Sequence, residues 1–173
     1  DDGFHDLDMV MASVDLHDTL TFTQTDDQQI RLNCKWASNG CMNWQQEEIP
    51  CTQDNLVYQA ASALRDHADA IDQATSGVEI TLLKRIPTRA GLGGGSSDAA
   101  ATLIGLSHLW GLSLQKEPLI DVAAKLGSDV PYFLHGGFAR CQSRGEQVTG
   151  IENNCHLHIV IAQPDTGLST PEV

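Results

Sequence analysis

The chain has 173 residues, of which 41% are hydrophobic and 19% are charged, a composition typical of a globular domain with its own core. Its net charge of −13 excludes nucleic-acid binding as the main activity, because a phosphate backbone requires a basic surface on its partner. The apolar runs fall far short of the roughly 20 residues that a membrane-spanning helix needs, so we expect no membrane partner.

The first part of the chain predicts strands followed by a helix. Residues 8–24 contain apolar and β-branched runs that predict two strands with a turn near residues 16–18, and residues 29–35 alternate as a third strand. From residue 55 the pattern becomes helical, with Asp54 predicted as the N-cap. The predicted buried face of this helix comprises Leu56, Ala60, Leu64, Ala68 and Ile71.

The middle of the chain predicts a strand, a glycine-rich loop and two helices. Gly77 begins a strand that Pro87 ends. A helix is predicted over about residues 97–110, with Gly111 as its C-terminal stop, and a second helix over residues 116–126 is closed by Gly127.

The last part of the chain predicts β structure. Residues 128–131 predict a turn, residues 138–149 a hairpin with its tip at 143–146, and residues 156–162 a further strand. Strands and helices do not alternate regularly along the chain, which favours an α+β fold over a doubly wound sheet.

The most informative segment joins the strand that starts at residue 77 to the next helix. Four of the nine residues from 90 to 98 are glycine, which lets backbone N–H groups approach a ligand, and the helix adds the positive end of its dipole. Ser96 and Ser97 add hydroxyls suited to capping the helix, binding phosphate or contacting Mg²⁺. We interpret residues 91–97 as an anion site, most naturally for phosphate; the alternative is a flexible turn before a capped helix.

This loop matches neither of two well-known phosphate loops. A Walker A loop requires a lysine after its last glycine, whereas Ser96 follows Gly95, and the dinucleotide fingerprint fails because Ser96 occupies its last glycine position. Three basic residues lie just upstream, where they either serve a small anionic ligand or form a solvated strand end: Lys84, Arg85 and Arg89.

Asp129 is the second candidate site residue. It lies between a predicted helix end and Pro131, where the chain turns sharply. A carboxylate there is suited to accept a proton from a substrate hydroxyl or to position a metal; the alternative is a turn-forming aspartate.

The cysteines suggest neither a disulfide framework nor a protein-bound metal. Their number is odd and no C-x-x-C spacing occurs, so scattered free thiols in a reducing, cytoplasmic environment are expected. They are Cys34, Cys41, Cys51, Cys141 and Cys155.

The loop PTRAGLGGGSSDAA at residues 87–100 resembles the phosphate loop of the GHMP kinase superfamily, which includes galactokinase, homoserine kinase and mevalonate kinase. Its triple glycine is similar to one branch, which phosphorylates the C2 hydroxyl of 4-diphosphocytidyl-2-C-methyl-D-erythritol in the non-mevalonate isoprenoid pathway. Three further segments resemble that branch in the same order: DGFH at 2–5, LGSDVPYF at 126–133 and GLST at 167–170.

This resemblance implies an ATP- and Mg²⁺-dependent kinase for a small-molecule substrate that carries a cytidine diphosphate group. Asp129 matches the catalytic base, Phe4 and His5 match the pair that stacks on and hydrogen-bonds the cytosine, and Thr170 matches a substrate-side threonine. The positions that match the ATP site are Asn55, Lys84, Gly91, Leu92, Gly93, Gly94, Gly95, Ser96 and Ser97.

The resemblance also implies a GHMP-kinase-type fold, with an ATP-binding N-terminal domain over residues 1–155 and the start of a C-terminal domain at residues 156–173. The family's lysine near the transferred phosphoryl group would precede Asp1, so we expect residues 1–173 alone to be inactive. Two alternatives remain: another kinase of the superfamily, of the homoserine or mevalonate type, and a degenerate module that binds nucleotide without catalysis. The DGFH segment speaks against the first.

Overall fold

The computed structural model describes residues 7–38, 48–112, 114, 116–152 and 157–162. Strands and helices both occur there, as the α+β expectation requires. The strands are β1 (Leu7–Ala12), β2 (Thr19–Thr25), β3 (Ile30–Trp36), β4 (Gly77–Lys84), β5 (Phe138–Ser143) and β6 (Gln147–Gly150). The helices are α1 (Leu56–Ala70), α2 (Gly94–Leu109), α3 (Lys116–Leu126) and α4 (Val130–His135).

One three-stranded sheet has β4 at its centre. β4 pairs antiparallel with β2 and parallel with β3, so its backbone is hydrogen-bonded on both edges. Its inward face consists of every second residue, Val78, Ile80, Leu82 and Lys84, all of which are buried. Three of these are ordinary core residues, whereas the buried lysine requires anionic partners.

The second sheet has the order β1-β5-β6, and both of its pairings are antiparallel. β5 and β6 form the predicted hairpin. The prediction of strands on both sides of residues 16–18 is also confirmed, but β1 and β2 do not pair with each other. β1 pairs with β5, more than 120 residues away, whereas β2 pairs with β4.

The main core lies between the β2-β4-β3 sheet and the helices. α1, α2 and α3 each contribute small or aliphatic side chains, including Ala60, Leu64, Ala99, Leu103 and Val122. Alanines along α1 and α2 let the two helices approach closely, since they present no bulk at the contact. The predicted helical face of α1 is confirmed at Ala60, Leu64 and Ala68, which are fully buried.

Two helix starts differ from the sequence predictions. The N-cap of α1 is Asn55 and not Asp54, because the Asn55 side chain is the one that accepts a hydrogen bond from Val57 N–H. α2 begins at Gly94, three residues before the predicted start, and its N-cap is Gly93 with no side-chain cap. The capping role offered for Ser96 and Ser97 is therefore wrong, since both lie inside the first helical turns.

Two segments near the C-terminal end also differ from expectation. Residues 130 and 131, predicted as part of a turn, belong together with the apolar residues 132–134 to the helix α4. The strand predicted over residues 156–162 is wrong for the described residues 157–162, which form no strand. Leu157, Ile159 and Val160 are exposed there, and a strand without a hydrogen-bonding neighbour has little to stabilise it.

Among the described residues, no helix is long and apolar enough to cross a membrane. The domain boundary at residues 155/156 stays a prediction, because residues 153–156 and 163–173 lie outside the described part of the chain.

Candidate functional site

The connection between β4 and α2 is a tight turn built on unusual backbone angles. Arg89, Gly91 and Gly93 have φ values of 54°, 68° and 64°. Glycine adopts this left-handed region without a Cβ penalty, whereas Arg89 is a non-glycine residue for which the region is sterically unfavourable. With positive φ angles at every second residue from 89 to 93, the chain passes from the end of β4 to the first turn of α2 within nine residues, 85–93.

Side chains on one side of this turn leave no room for substituents. A Cβ built on Gly93 would lie 2.7 Å from Cζ of Phe133, and a Cβ on Gly94 would lie 2.8 Å from Cγ2 of Ile86. A Cβ on Gly91 would meet nothing within 4 Å. The glycines at 93 and 94 therefore permit close packing onto the protein, whereas Gly91 lies on the open side, where a ligand has access to the backbone.

The first turn of α2 presents unpaired backbone donors to this open side. The first intrahelical bond of α2 is donated by Ser97 N–H to the Gly93 carbonyl, at 2.8 Å. By helix geometry, the N–H groups of Gly94, Gly95 and Ser96 have no acceptor within the helix. Together with the positive end of a 16-residue helix, they form the kind of cradle that binds a phosphate.

A buried ion triad lies directly beneath the turn. Lys84 Nζ donates to Oδ2 of Asp98, at 2.8 Å, and to Oδ2 of Asp18. The side chains of all three residues are at most 5% exposed. Burial, together with the nearby Asp18 charge, raises the pKa of Asp98 to about 7, although the Lys84 ammonium opposes that rise.

Asp18 and Asp98 were missed as site residues by the sequence analysis. One signal was available for Lys84: it continues the inward alternation Val78, Ile80, Leu82, so a buried ammonium with carboxylate partners is implied. The identity of those partners was not accessible, since Asp18 is 66 residues away in the chain.

The predicted ATP-site residue Asn55 lies at the start of α1, beside the same turn. Its Oδ1 accepts from Val57 N–H at 2.9 Å and its Nδ2 donates to the Pro50 carbonyl at 2.7 Å, so the side chain fixes the entry to the helix. The next residue, Leu56, lies 3.4 Å from the position of a Cβ on Gly95. The structure thus places Asn55 one residue from a contact with the glycine turn.

Asp129 lies at the N-terminus of α4, half-buried, and its side chain makes no capping hydrogen bond to that helix. Its Oδ1 lies 3.6 Å from the position of a Cβ on Gly145, at the tip of the β5–β6 hairpin. Burial, together with the nearby charge of Asp129, raises the pKa of the Cys141 thiol on β5. Asp129 therefore lies between α4 and the second sheet.

The helix α4 brings Asp129 and the glycine turn close together. Phe133, one turn along α4 from Asp129, is the residue whose ring packs on Gly93. Four residues of helix span about 6 Å, so the carboxylate and the turn lie on one short, rigid connection. This juxtaposition of an anion cradle with a half-buried carboxylate is suited to moving a proton beside a bound phosphate.

Two of the three basic residues upstream of the turn are engaged within the protein. Lys84 points into the core, and Arg85 donates to Thr19 Oγ1 at 2.8 Å and to the His17 carbonyl at 3.3 Å. Phe4, His5 and Thr170 lie outside the described residues. Within the described part of the chain, no group of three His, Cys, Asp or Glu side chains is placed to hold a metal ion.

The chain matches a known family model and many curated proteins. Residues 55–137 match the family described as "GHMP kinases N terminal domain". The chain is 42% identical, over 99% of its length, to the 4-diphosphocytidyl-2-C-methyl-D-erythritol kinase of Exiguobacterium sibiricum, and 38% identical to that of Bacillus subtilis. It covers 55% of each of these proteins, so the chain spans about half the length of the curated relatives it matches.

Solved structures confirm the predicted fold. A crystal structure of a 4-(cytidine 5'-diphospho)-2C-methyl-D-erythritol kinase superposes with a TM-score of 0.65 and 35% identity, covering 87% of this chain and 47% of that one. A homoserine kinase from Cytophaga hutchinsonii superposes with a TM-score of 0.55 at 20% identity, over 73% of this chain and 40% of that one, which shows a shared fold alone.

Proposed function

We propose that the chain belongs to the GHMP kinase family and that the gene product containing it is an ATP-dependent kinase for a small-molecule alcohol. The observation that carries this proposal is the connection through α4. Phe133 packs on the glycine turn, and Asp129 lies one helical turn away with a carboxylate that makes no capping hydrogen bond to the helix. A phosphate cradle next to a candidate general base is the arrangement that phosphoryl transfer to a hydroxyl requires.

ATP is proposed to bind with its phosphates on residues 91–97. The supporting features are the open side at Gly91 and the backbone donors at Gly94, Gly95 and Ser96, which suit phosphate oxygens. Asn55 and Lys84 remain proposed for the adenine side; both side chains are hydrogen-bonded within the protein, so a role in adenine recognition falls to their backbone groups or immediate neighbours.

Mg²⁺ is proposed to enter with ATP as part of the substrate. The described residues provide no three-residue set of carboxylate, thiolate or imidazole ligands, whereas the triphosphate itself supplies the hard oxygen ligands that Mg²⁺ prefers. When bound, the ion neutralises part of the phosphate charge.

Asp129 is proposed to accept the proton of the substrate hydroxyl as that oxygen attacks the γ-phosphorus. The bond from the γ-phosphorus to the bridging oxygen of ADP breaks while the new phosphorus–oxygen bond forms, and the carboxylate holds the released proton. Its half-buried position limits access of water to the acceptor.

We propose that the substrate is 4-diphosphocytidyl-2-C-methyl-D-erythritol, phosphorylated at its C2 hydroxyl in isoprenoid biosynthesis. The support is the name shared by the relatives, which are about 40% identical over nearly the whole of this chain. Phe4 and His5 are proposed to recognise the cytosine, and Thr170 to lie on the substrate side. A cytoplasmic location accords with the free thiols at Cys34, Cys51 and Cys141.

The test is an assay of ADP release by the complete gene product with ATP, Mg²⁺ and a panel of alcohols. The panel comprises 4-diphosphocytidyl-methylerythritol, its uridine analogue, homoserine and mevalonate. Asp129→Asn is expected to lower kcat by roughly 10²-fold or more, with little change in ATP binding, because the amide keeps the shape but cannot take the proton.

The matched control is Asp121→Asn, which removes a carboxylate from the exposed surface of α3 and should leave kcat unchanged. Turnover of homoserine or mevalonate in preference to the cytidine compound would assign the chain to another kinase of the family. Near-normal kcat for Asp129→Asn would leave Asp129 with a turn-forming role only, and ATP binding without turnover of any alcohol would indicate a non-catalytic module.

A further inference from the structure

We propose that the buried triad Asp18–Lys84–Asp98 positions the phosphate-binding turn, and that the Lys84 side chain acts on the nucleotide through this turn and not by touching the nucleotide itself. The proposal deepens the proposed function and rests on it. It makes Asp18 and Lys84 positioning residues and not catalytic ones, and it gives Asp98 the role of a second hydrogen-bond acceptor for the Lys84 ammonium.

The triad ties three separate segments of chain together at one point. Asp18 immediately precedes β2, Lys84 ends β4, and Asp98 lies in the second turn of α2. Lys84 Nζ donates to a carboxylate oxygen on each side, and the three side chains are almost wholly excluded from solvent. A buried ammonium with two carboxylate partners is costly to disrupt. Removal of the lysine leaves buried carboxylates without a counter-charge, and removal of the carboxylates does the same to the ammonium.

Asp18 has a second set of partners that reach directly into the turn. While its Oδ2 accepts from Lys84, its Oδ1 accepts from the backbone N–H of Arg85 and, at 2.9 Å, from that of Ile86. These are the first two residues after β4, so one carboxylate sets the direction in which the chain leaves the strand. Three charge-assisted bonds to one side chain define that direction more sharply than packing alone.

The turn rests on the atoms that the triad fixes. The position of a Cβ on Gly94 is 2.8 Å from Cγ2 of Ile86 and 3.1 Å from Nζ of Lys84. Gly94, the first donor of α2, therefore lies next to the ammonium and next to the residue that Asp18 holds, with no room for a methyl group between them. Movement of Lys84 or Ile86 leads to movement of the donors that face the phosphates.

Burial argues against a direct contact between Lys84 and the nucleotide. Its side chain is 5% exposed and its ammonium is occupied by two carboxylates, so it cannot reach an adenine without leaving both. A positioning role and an adenine-binding role make different predictions for ligands that carry only one half of ATP.

The experiment measures binding of ATP, adenosine and inorganic triphosphate to the complete gene product by calorimetry. We compare Lys84→Met and Asp18→Asn with Asp98→Asn and with the control Asp15→Asn, an exposed carboxylate in the same segment as Asp18. Positioning predicts that Lys84→Met and Asp18→Asn weaken ATP and triphosphate binding at least 10-fold and leave adenosine binding within 2-fold. Asp98→Asn keeps an acceptor for Lys84 and should change each affinity less than 3-fold.

Equal weakening of adenosine and ATP in Lys84→Met, with Asp18→Asn unchanged, would show a direct adenine contact and overturn the proposal. If wild type binds neither ATP nor triphosphate, the proposed function fails and this inference fails with it. Hydrogen exchange provides a second readout should Lys84→Met not fold. The Ser97 amide, bonded to the Gly93 carbonyl, should exchange at least 10-fold faster in Asp18→Asn than in Asp15→Asn, and equal rates would contradict positioning.

Discussion

Gly93→Ala tests whether the glycine turn is fixed by α4. The residue has φ = 64°, and an alanine in this left-handed region costs about 1–2 kcal/mol. Its methyl group would also lie 2.7 Å from Cζ of Phe133, which is closer than real Cβ contacts allow. Forcing a methyl group into such a packed site adds roughly 1–3 kcal/mol.

The total expected loss of unfolding free energy is therefore about 2–5 kcal/mol, a large part of the stability of a typical domain. Gly91→Ala is the matched control, since Gly91 has nearly the same φ, 68°, and its Cβ would meet nothing within 4 Å. It should lose only the backbone term, about 1–2 kcal/mol. The measurement is equilibrium unfolding in urea, with the slope against denaturant checked to be unchanged.

A double-mutant cycle isolates the contact between the turn and α4. Phe133→Leu shortens the side chain that faces Gly93, so the combination with Gly93→Ala should be less destabilising than the sum of the two, by about 1–3 kcal/mol. The same substitution combined with Gly91→Ala should be additive within about 0.5 kcal/mol. Equal losses for the two glycine variants, with both pairs additive, would refute the packing of Phe133 on the turn.

Two further predictions concern the ends of the helices that face the turn. The raised pKa of Asp98, about 7, means that the folded state binds more protons than the unfolded state between about pH 4 and 7. The free energy of unfolding should therefore fall as pH rises through that window. Urea unfolding of Asp98→Asn should show a smaller fall, whereas the exposed-site variant Asp121→Asn should follow wild type. In the same assay, Asn55→Ala should lower the free energy of unfolding by about 1 kcal/mol because Asn55 caps α1, and Asp54→Ala should leave it almost unchanged. The reverse order would show that Asp54 is the N-cap.

Elements with a local residue pattern could be predicted from the amino-acid sequence. Leu56, Ala60, Leu64 and Ala68 lie one turn apart, so the helix α1 is visible without knowledge of its neighbours. The same holds for the hairpin, whose Gly145 has φ = 111°, and for the glycine run, whose composition indicated a close backbone approach. The resemblance to the GHMP kinases rested on these local motifs, and the comparisons confirm it.

Two helix starts were predicted wrongly because contacts outside the helix decided them. Asp54 and Asn55 are both good N-caps by residue type, and the hydrogen bond from Asn55 to the Pro50 carbonyl favours the second. The serines after the glycine run resemble a cap in sequence. Close packing of Gly93 on Phe133, 40 residues away, instead lets α2 begin at Gly94.

The pairing of the strands and the partners of the buried charges became visible only in the folded chain. β1 and β2 are neighbours in the chain, yet each pairs with a strand far along the sequence. Every strand offers the same backbone N–H and C=O groups at its edge, so the residues of one strand do not identify its partner. Lys84 pairs with Asp98, 14 residues away, and with Asp18, 66 residues away. The sequence around either aspartate does not distinguish it from an aspartate on the surface. The role of a buried charge depends on the groups that desolvate it and pair with it, and the fold brings those groups together.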